Sequence, residues 1–440
     1  MSLISNTQKD DAFVFGLDCT VICKSQSNNI FSLTFDEASE SPICGLTLSN
    51  DGKILYIAFR NKLLLSYEMD SHNKSISPSP LSKCFTDRRI TALKYTVIDD
   101  KSIILTADRL GEIWAFNSSD LTKSVKVGGH PTTVLTDMVI SPCGSLIATC
   151  DRNEKIRFTH FPQMLKIYGY ALAHKSIVRS LAFRVTESDS DSSNSIVSVG
   201  WDGCLCLWRY SKEAESNEYG ETIHLQDLHQ MEFEVTNGTD ESVRSSSGSS
   251  DRVAEGQGED DGKGLPFKVL ILNYSLVCVL FKEQSFIYVC SIDSSNKFQS
   301  IVDMKVNGVA GKNGLISLPT TPLDACVHNS NQLIFVFPGP IYAGCYNFER
   351  IGDEVNIEEL TNGADINWLN QMRECCKDYG SGSQPLQGGY ADGTDPGFVE
   401  GMNKRSIDGQ KRYQSLVAGS GAAVDAAELE RKTANKKKKK

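Results

Sequence analysis

The chain has 440 residues, 40% of them hydrophobic and 23% charged, which permits a sizeable buried core and excludes a collagen-like or wholly low-complexity chain. No run of about 18 apolar residues occurs, so no helical membrane span is predicted. The formal net charge is −10, and its location matters more than its size: residues 211–266 hold 14 acidic and 4 basic side chains, so this one segment carries all of it and the remainder is neutral.

The first residues, Met1 to Lys9, lack a basic region followed by an apolar run, so no secretory signal is expected and a reducing compartment follows. In that setting the 14 cysteines read as small buried hydrophobes, since many sit inside apolar runs. Cys204 and Cys206 share a strand face, but no second Cys/His pair stands at zinc-ligand spacing.

Along the chain, strands alternate with tight turns. Ala12–Cys23 and Ile30–Phe35 open the series, and Leu55–Tyr67 follows the turn Ser49-Asn-Asp-Gly52. An internal repeat then emerges. Thr106, Asp108, Arg109 and Ile113 recur as Thr149, Asp151, Arg152 and Ile156, an offset of 43 residues, and a third copy runs from Ile196 to Trp208. A period near 40–45 residues with short alternating strands is the sequence signature of a propeller blade. The predicted blades are 12–36, 43–69, 90–118, 134–161, 177–210, 267–292 and 323–348. The expected fold is therefore an all-β, seven-bladed WD-repeat β-propeller over 1–378, with an N-terminal strand completing the last blade. Residues 211–266, rich in Ser, Gly and acid, are predicted to be a disordered insertion. Residues 365–378, with Ile366, Leu369, Met372 and Cys376 on one face, are predicted to be a short helix docked on the ring. Residues 379–440, Gly-rich and ending in five lysines, read as a flexible basic tail that can serve as a nuclear address.

A search for chemistry finds none. Val417–Asp425 resembles a Gly-rich loop, but too little chain follows to build the strand–helix–strand unit that such a loop must open. Nucleophile-elbow, zincin and phosphate-loop motifs are missing. His174, Ser198, Asp202 and Trp208 follow the WD pattern, in which these residue types form a hydrogen-bonded chain across a blade, so they are assigned to structure. No catalytic, metal-binding or cofactor-binding residue is predicted.

The blade at 134–161 breaks the pattern. Asn153 stands where the turn Asp is expected and Thr159 where the Trp is, and a charge string, Asp151, Arg152, Glu154, Lys155 and Arg157, fills the hairpin. Alternation along a strand would send Lys155 and Arg157 to one side, with Ile156 and Phe158 toward the core. The string Asp151-Arg-Asn-Glu-Lys-Ile-Arg157, with Phe158-Thr-His-Phe-Pro162, Ala173-His-Lys-Ser-Ile-Val178 and the blade ending in Trp208, resembles the WD-repeat non-catalytic subunit of tRNA (guanine-N7) methyltransferase. That resemblance implies a heterodimer. A catalytic partner would hold S-adenosylmethionine and methylate N7 of a guanine in the tRNA variable loop, and this chain would hold the partner in its active shape. It also implies partner binding through Asp151, Arg152, Glu154, Lys155 and Arg157, with Arg157 the docking contact, tRNA reached mainly through the complex, and a nuclear location. The alternative is a generic WD-repeat scaffold, such as a ubiquitin-ligase substrate receptor or a chromatin adaptor.

Overall fold

A computed structural model describes most residues between 2 and 371; the longer stretches it leaves undescribed are 185–194, 211–217, 225–263, 361–368 and 372–440. The chain divides into two units, 1–388 and 389–440, and all described residues lie in the first. The predicted basic tail and most of the predicted acidic insertion thus fall outside the described residues. Of the predicted helix, only 369–371 are described, and they are helical, with the Leu369 side chain fully buried.

The described residues form antiparallel meanders in chain order. The first sheet holds β1 (Ser2–Asn6), β2 (Phe13–Leu17), β3 (Thr20–Lys24) and β4 (Ile30–Thr34). The second holds β5 (Ile43–Leu48), β6 (Ile54–Phe59) and β7 (Leu63–Asp70), with β8 (Ser75–Ile76) and β9 (Ser82–Phe85) both paired to β7. The third runs β10 (Ile90–Ile98), β11 (Lys101–Asp108), β12 (Glu112–Asn117) and β13 (Ser124–Gly129); the fourth runs β14 (Leu135–Ile140), β15 (Leu146–Asp151), β16 (Ile156–His160) and β17 (Ile167–Ala171). In the fifth are β18 (Val178–Arg184), β19 (Ser195–Gly200), β20 (Cys204–Arg209) and β21 (Glu218–His224).

The remaining strands join in one larger sheet. Its first part is β22 (Pro266–Leu272), β23 (Leu276–Phe281), β24 (Phe286–Ile292), β25 (Phe298–Ser300), β26 (Asp303–Val306), β27 (Val309–Lys312) and β28 (Leu315–Ser317). Its second part is β29 (Asp324–His328), β30 (Gln332–Val336), β31 (Ala343–Ile351) and β32 (Glu354–Glu359). The two parts are stitched by parallel pairing of β26 with β32.

First strands of successive sheets lie side by side, from β1 to β5, β10, β14, β18, β22 and β29, and β29 lies against β1. Apolar residues therefore pack between sheets rather than on one face of each. Val14 and Val21 pack with Ile43 and Leu46, Ala148 and Phe158 with Leu181 and Trp208, and Phe13, Phe15 and Ile22 with Ile334, Val336 and Cys345. Each fully buried Phe or Ile contributes about 1.5–3 kcal/mol through removal from water. Nine of the 11 described cysteines sit in apolar clusters of this kind with relative exposure of 7% or less, as predicted for small hydrophobes.

Three expectations are corrected. β1 does not complete the last blade: it pairs with β2, Ser2 opposite Leu17, and the last blade is closed by its own β32, whose Val355 and Ile357 alternate inward. The segment 211–266 is not loop throughout, because β21 pairs with β20, Cys204 opposite His224. The predicted blades also stop short of their outer strands, β13 and β17 among them.

Candidate partner-docking site

The fifth blade shows how the repeat is tied. Trp208 Nε1 donates to Ser198 Oγ at 2.8 Å, Ser198 Oγ pairs with His174 Nε2 at 2.8 Å, and His174 Nδ1 meets Asp202 Oδ2 at 3.0 Å. An imidazole protonated on Nδ1 runs this chain in one direction, from indole to hydroxyl to ring to carboxylate. Asp202 also accepts the backbone N–H of Lys175 at 2.7 Å and of Cys204 at 3.1 Å. Burial alone would raise its pKa, but the hydrogen bond and charge of His174, with the two backbone donors, outweigh that and hold the carboxyl below the usual carboxylate range. The four residues assigned to structure from sequence thus meet in one chain, and His174 is only 4% exposed.

The fourth blade builds the same chain from different residues. His130 Nε2 pairs with Thr149 Oγ1 at 2.7 Å and His130 Nδ1 with Asp151 Oδ2 at 2.9 Å. Thr149 takes the place of Ser198, since it faces Arg157 across the hairpin as Ser198 faces Cys206. Asp151 occupies the position of Gly200, two residues before the turn acid of the fifth blade. In the fifth blade a Cβ at Gly200 would stand 2.6 Å from His174 Nδ1 and 2.8 Å from Asp202 Oδ1, so an acid fits at one of the two positions but not at both. The remaining Asp151 oxygen accepts the N–H groups of Asn153 at 2.8 Å and Lys155 at 3.0 Å, which shapes the turn. Asp108 does the same in the third blade, accepting from Leu110 and Glu112 at 2.8 and 2.9 Å.

Thr159 stands in the Trp position, and Arg157 fills the space. Its Nε donates to Thr159 Oγ1 at 3.2 Å and its Nη1 to the Gly129 carbonyl at 2.6 Å. Arg157 is 7% exposed and Asp151 2%. This corrects the expectation that Arg157 projects outward beside Lys155. Propeller blades stack on both faces, so inner strands lack the solvated face that strand alternation presumes, and Ile156 through Thr159 are all buried. Arg152 is half-buried, and Glu154 and Lys155 are exposed at the tip of the turn.

Glu154 has φ 71°. The equivalent turn positions are Lys62 (φ 74°), Gly111 (φ 84°) and Gly203 (φ 70°). A left-handed position favours glycine, and Glu154 and Lys62 hold it with large charged side chains. The charge string therefore resolves into two sets: Asp151 and Arg157 beneath, bonded into the blade, and Arg152, Glu154 and Lys155 above. Sequence reading missed His130 and Gly129, and it placed Thr149 and Thr159 in the repeat without assigning them to this chain of bonds. The signal was there in Gly129-His130, which precedes its blade as His174 precedes the next. Among the described residues no group of three or more His, Cys, Asp or Glu side chains could hold a metal ion.

The sheets and the blade chains define an all-β WD-repeat propeller. Its fold matches a chain of the crystal structure of the mitotic checkpoint complex, with TM-score 0.52 and 12% identity, over 76% of this chain and 86% of that one. It also matches the β-propeller domain of Myceliophteria thermophila Cps50 (Swd1), with TM-score 0.50 and 10% identity, over 76% and 92%. Residues 125–335, which include the fourth-blade site, match the family described as the tRNA methyltransferase TRM82 WD40 domain. The chain is 28% identical over 181 residues to the tRNA (guanine-N(7)-)-methyltransferase non-catalytic subunit wuho of Drosophila melanogaster, covering 40% of this chain and 39% of that one. It is 27% identical over 209 residues to the corresponding subunit WDR4 of Mus musculus, covering 47% of each. The chain thus spans less than half the length of these curated relatives.

Proposed function

We propose that this protein is the non-catalytic, non-enzymatic subunit of a tRNA (guanine-N7) methyltransferase, a seven-bladed propeller that binds the catalytic subunit as a heterodimer and supports N7-methylation of a guanine in the tRNA variable loop. S-adenosylmethionine belongs to the partner, tRNA is reached mainly through the complex, and the location is nuclear. The observation that carries the reading is the fourth blade, where the chain departs from the repeat pattern inside the stretch that matches the family. Glu154 and Lys155, with half-buried Arg152 beside them, offer opposite charges at an exposed tip. Asp151 and Arg157 position that tip from below, one through the turn N–H groups and the other through Gly129. The docking role read from sequence for Arg157 becomes a positioning role.

The test is co-expression with a catalytic subunit of this enzyme class, followed by co-purification and a methyl-transfer assay with and without this chain. The charge swap Glu154→Lys/Lys155→Glu is expected to abolish co-purification while leaving the melting temperature within about 2 °C, as surface changes do. Arg157→Ala is expected to lose co-purification and also to lower stability by about 1–3 kcal/mol, because buried polar groups lose their partner. Wild-type partner retention by the charge swap would remove the turn from the interface.

A further inference from the structure

The blades with a complete hydrogen-bonded chain show what the third blade lacks. In the fourth and fifth blades an imidazole bridges a hydroxyl and a carboxylate: His130 between Thr149 and Asp151, His174 between Ser198 and Asp202. The third blade has the hydroxyl and the carboxylate in the same register. Thr106 faces Trp114 across its hairpin as Thr149 faces Arg157, and Asp108 stands opposite Ile90 as Asp151 stands opposite Leu135. The histidine's place is taken by Thr86, whose backbone N–H donates to the Lys62 carbonyl at 2.9 Å, as that of His130 donates to Gly111 at 2.7 Å. The Thr86 hydroxyl is held instead by the carbonyls of Lys62 and Arg88, at 3.1 and 2.7 Å.

Thr86, Thr106 and Asp108 line a cavity of about 80 Å³, walled by Trp114 and Phe116 and rimmed by the exposed Phe85. Asp108 is 4% exposed and Thr106 2%. Asp108 Oδ1 accepts the turn N–H groups of Leu110 and Glu112, whereas its Oδ2 and the Thr106 hydroxyl have no hydrogen-bond partner among the described residues. These are the two groups that the imidazole bridges in the next blade. A buried carboxylate oxygen without a donor is costly and calls for a partner. Burial pushes the Asp108 carboxyl above the ordinary carboxylate range; the two backbone donors and Lys126 oppose that rise, and Glu112 adds to it. Nearby charges are matched in sign: Lys126 pairs with Glu112, and Asp87 and Arg88 stand together at the mouth, with Arg88 exposed.

A guest must therefore donate hydrogen bonds, bring positive charge and be no larger than a side-chain head group. Aromatic side chains beside a carboxylate suit a cation. A planar guanidinium, like the ring it replaces, presents N–H donors in one plane to two acceptors at once. We infer that this cavity is a receptor for an arginine side chain of a partner segment, which completes the third blade by standing where the histidine stands in its neighbours. Phe85 on the rim offers the rest of that segment an apolar contact. The receptor does not depend on the methyltransferase reading.

The experiment is NMR of the full-length chain carrying isotope-labelled tryptophan. Its four indoles include Trp114 in the cavity wall and Trp208 in the complete chain of the fifth blade. Titration with acetyl-Gly-Arg-Gly-amide is expected to move the Trp114 signal saturably and leave Trp208 in place, while the glutamine counterpart of the peptide moves neither. Asp108→Asn keeps an oxygen for the turn and removes the charge, and is expected to weaken the response about tenfold or more. Thr86→His supplies the ring from within and is expected to abolish the response and raise the melting temperature. Should Asp108→Asn melt early, Thr86→His carries the test alone. Undiminished affinity in either variant, an equal response to the glutamine peptide, or no response at about 10 mM peptide would each overturn the inference. So would a stronger response in Arg88→Gln, which would make this chain's own Arg88 the occupant. Failure of the proposed methyltransferase partnership would show in co-purification, which this measurement does not use.

Discussion

Asp151 and Asp202 bond to equivalent histidines from positions two residues apart in the blade register. The substitution of one position for the other was the hardest feature to read in the sequence, because alignment by residue type pairs Asp202 with Asn153 and leaves Asp151 looking like surplus charge. Arg157 was misread for a related reason: strand alternation separates two faces but cannot say that a neighbouring blade covers both. The charged tip itself, Glu154 and Lys155, was legible, since charges at the apex of a hairpin turn face solvent. The blade chain also carries a pH dependence. Asp202 has a folded-state pKa below its unfolded value near 3.9, so its contribution is fully present above about pH 4 and is lost as pH falls through the lower folded value. Thermal melts of wild type and Asp202→Asn from pH 7 to pH 3 check this: the variant is expected to melt lower at pH 7, with the gap narrowing below pH 4. A gap that stays constant down to pH 3 would remove the carboxylate's charge from the explanation.

At the level of elements, the inner three strands of most blades were visible and the outer ones were not. Inner strands such as β15, Leu146–Asp151, and β23, Leu276–Phe281, are buried along their whole length and read as mostly apolar runs, unbroken in β23 and interrupted in β15 by Thr149 and Asp151. Outer strands lack such runs: β13 reads Ser-Val-Lys-Val-Gly-Gly and is exposed over its first half, and β21 reads Glu-Tyr-Gly-Glu-Thr-Ile-His at the edge of an acidic stretch. Their strand character comes from an open edge on the neighbouring strand rather than from their own composition. Hydrogen exchange separates the two descriptions of β21. Amides of 218–224 that bond to β20 are expected to exchange at least tenfold more slowly than those of an unstructured peptide of the same sequence, whereas exchange at the unstructured rate across 218–224 would restore the loop.

For the molecule as a whole, the repeat period and blade pattern were enough to specify a propeller, but not which strand meets which across the chain ends. β1 lies beside both β5 and β29, although its hydrogen bonds go to β2. Removing residues 1–6 would leave β2 as a bare edge and open a gap between the last blade and the second. The truncated chain is expected to melt about 5 °C or more below the intact one and to self-associate in light scattering. An unchanged melting temperature would show that β1 adds nothing to the ring.

The join between β26 and β32 sets that circle apart from one whose every seam is alike. Among the described residues, five of the sheets have no strand-to-strand ladder with a neighbour, while the two parts of the larger sheet meet through backbone hydrogen bonds as well. Side-chain seams can slide and reopen; a ladder of peptide bonds must be broken rung by rung. The propeller is thus a clasped bracelet with its clasp at one fixed point, and under heat or load it should part at one of the side-chain seams and leave that clasp shut.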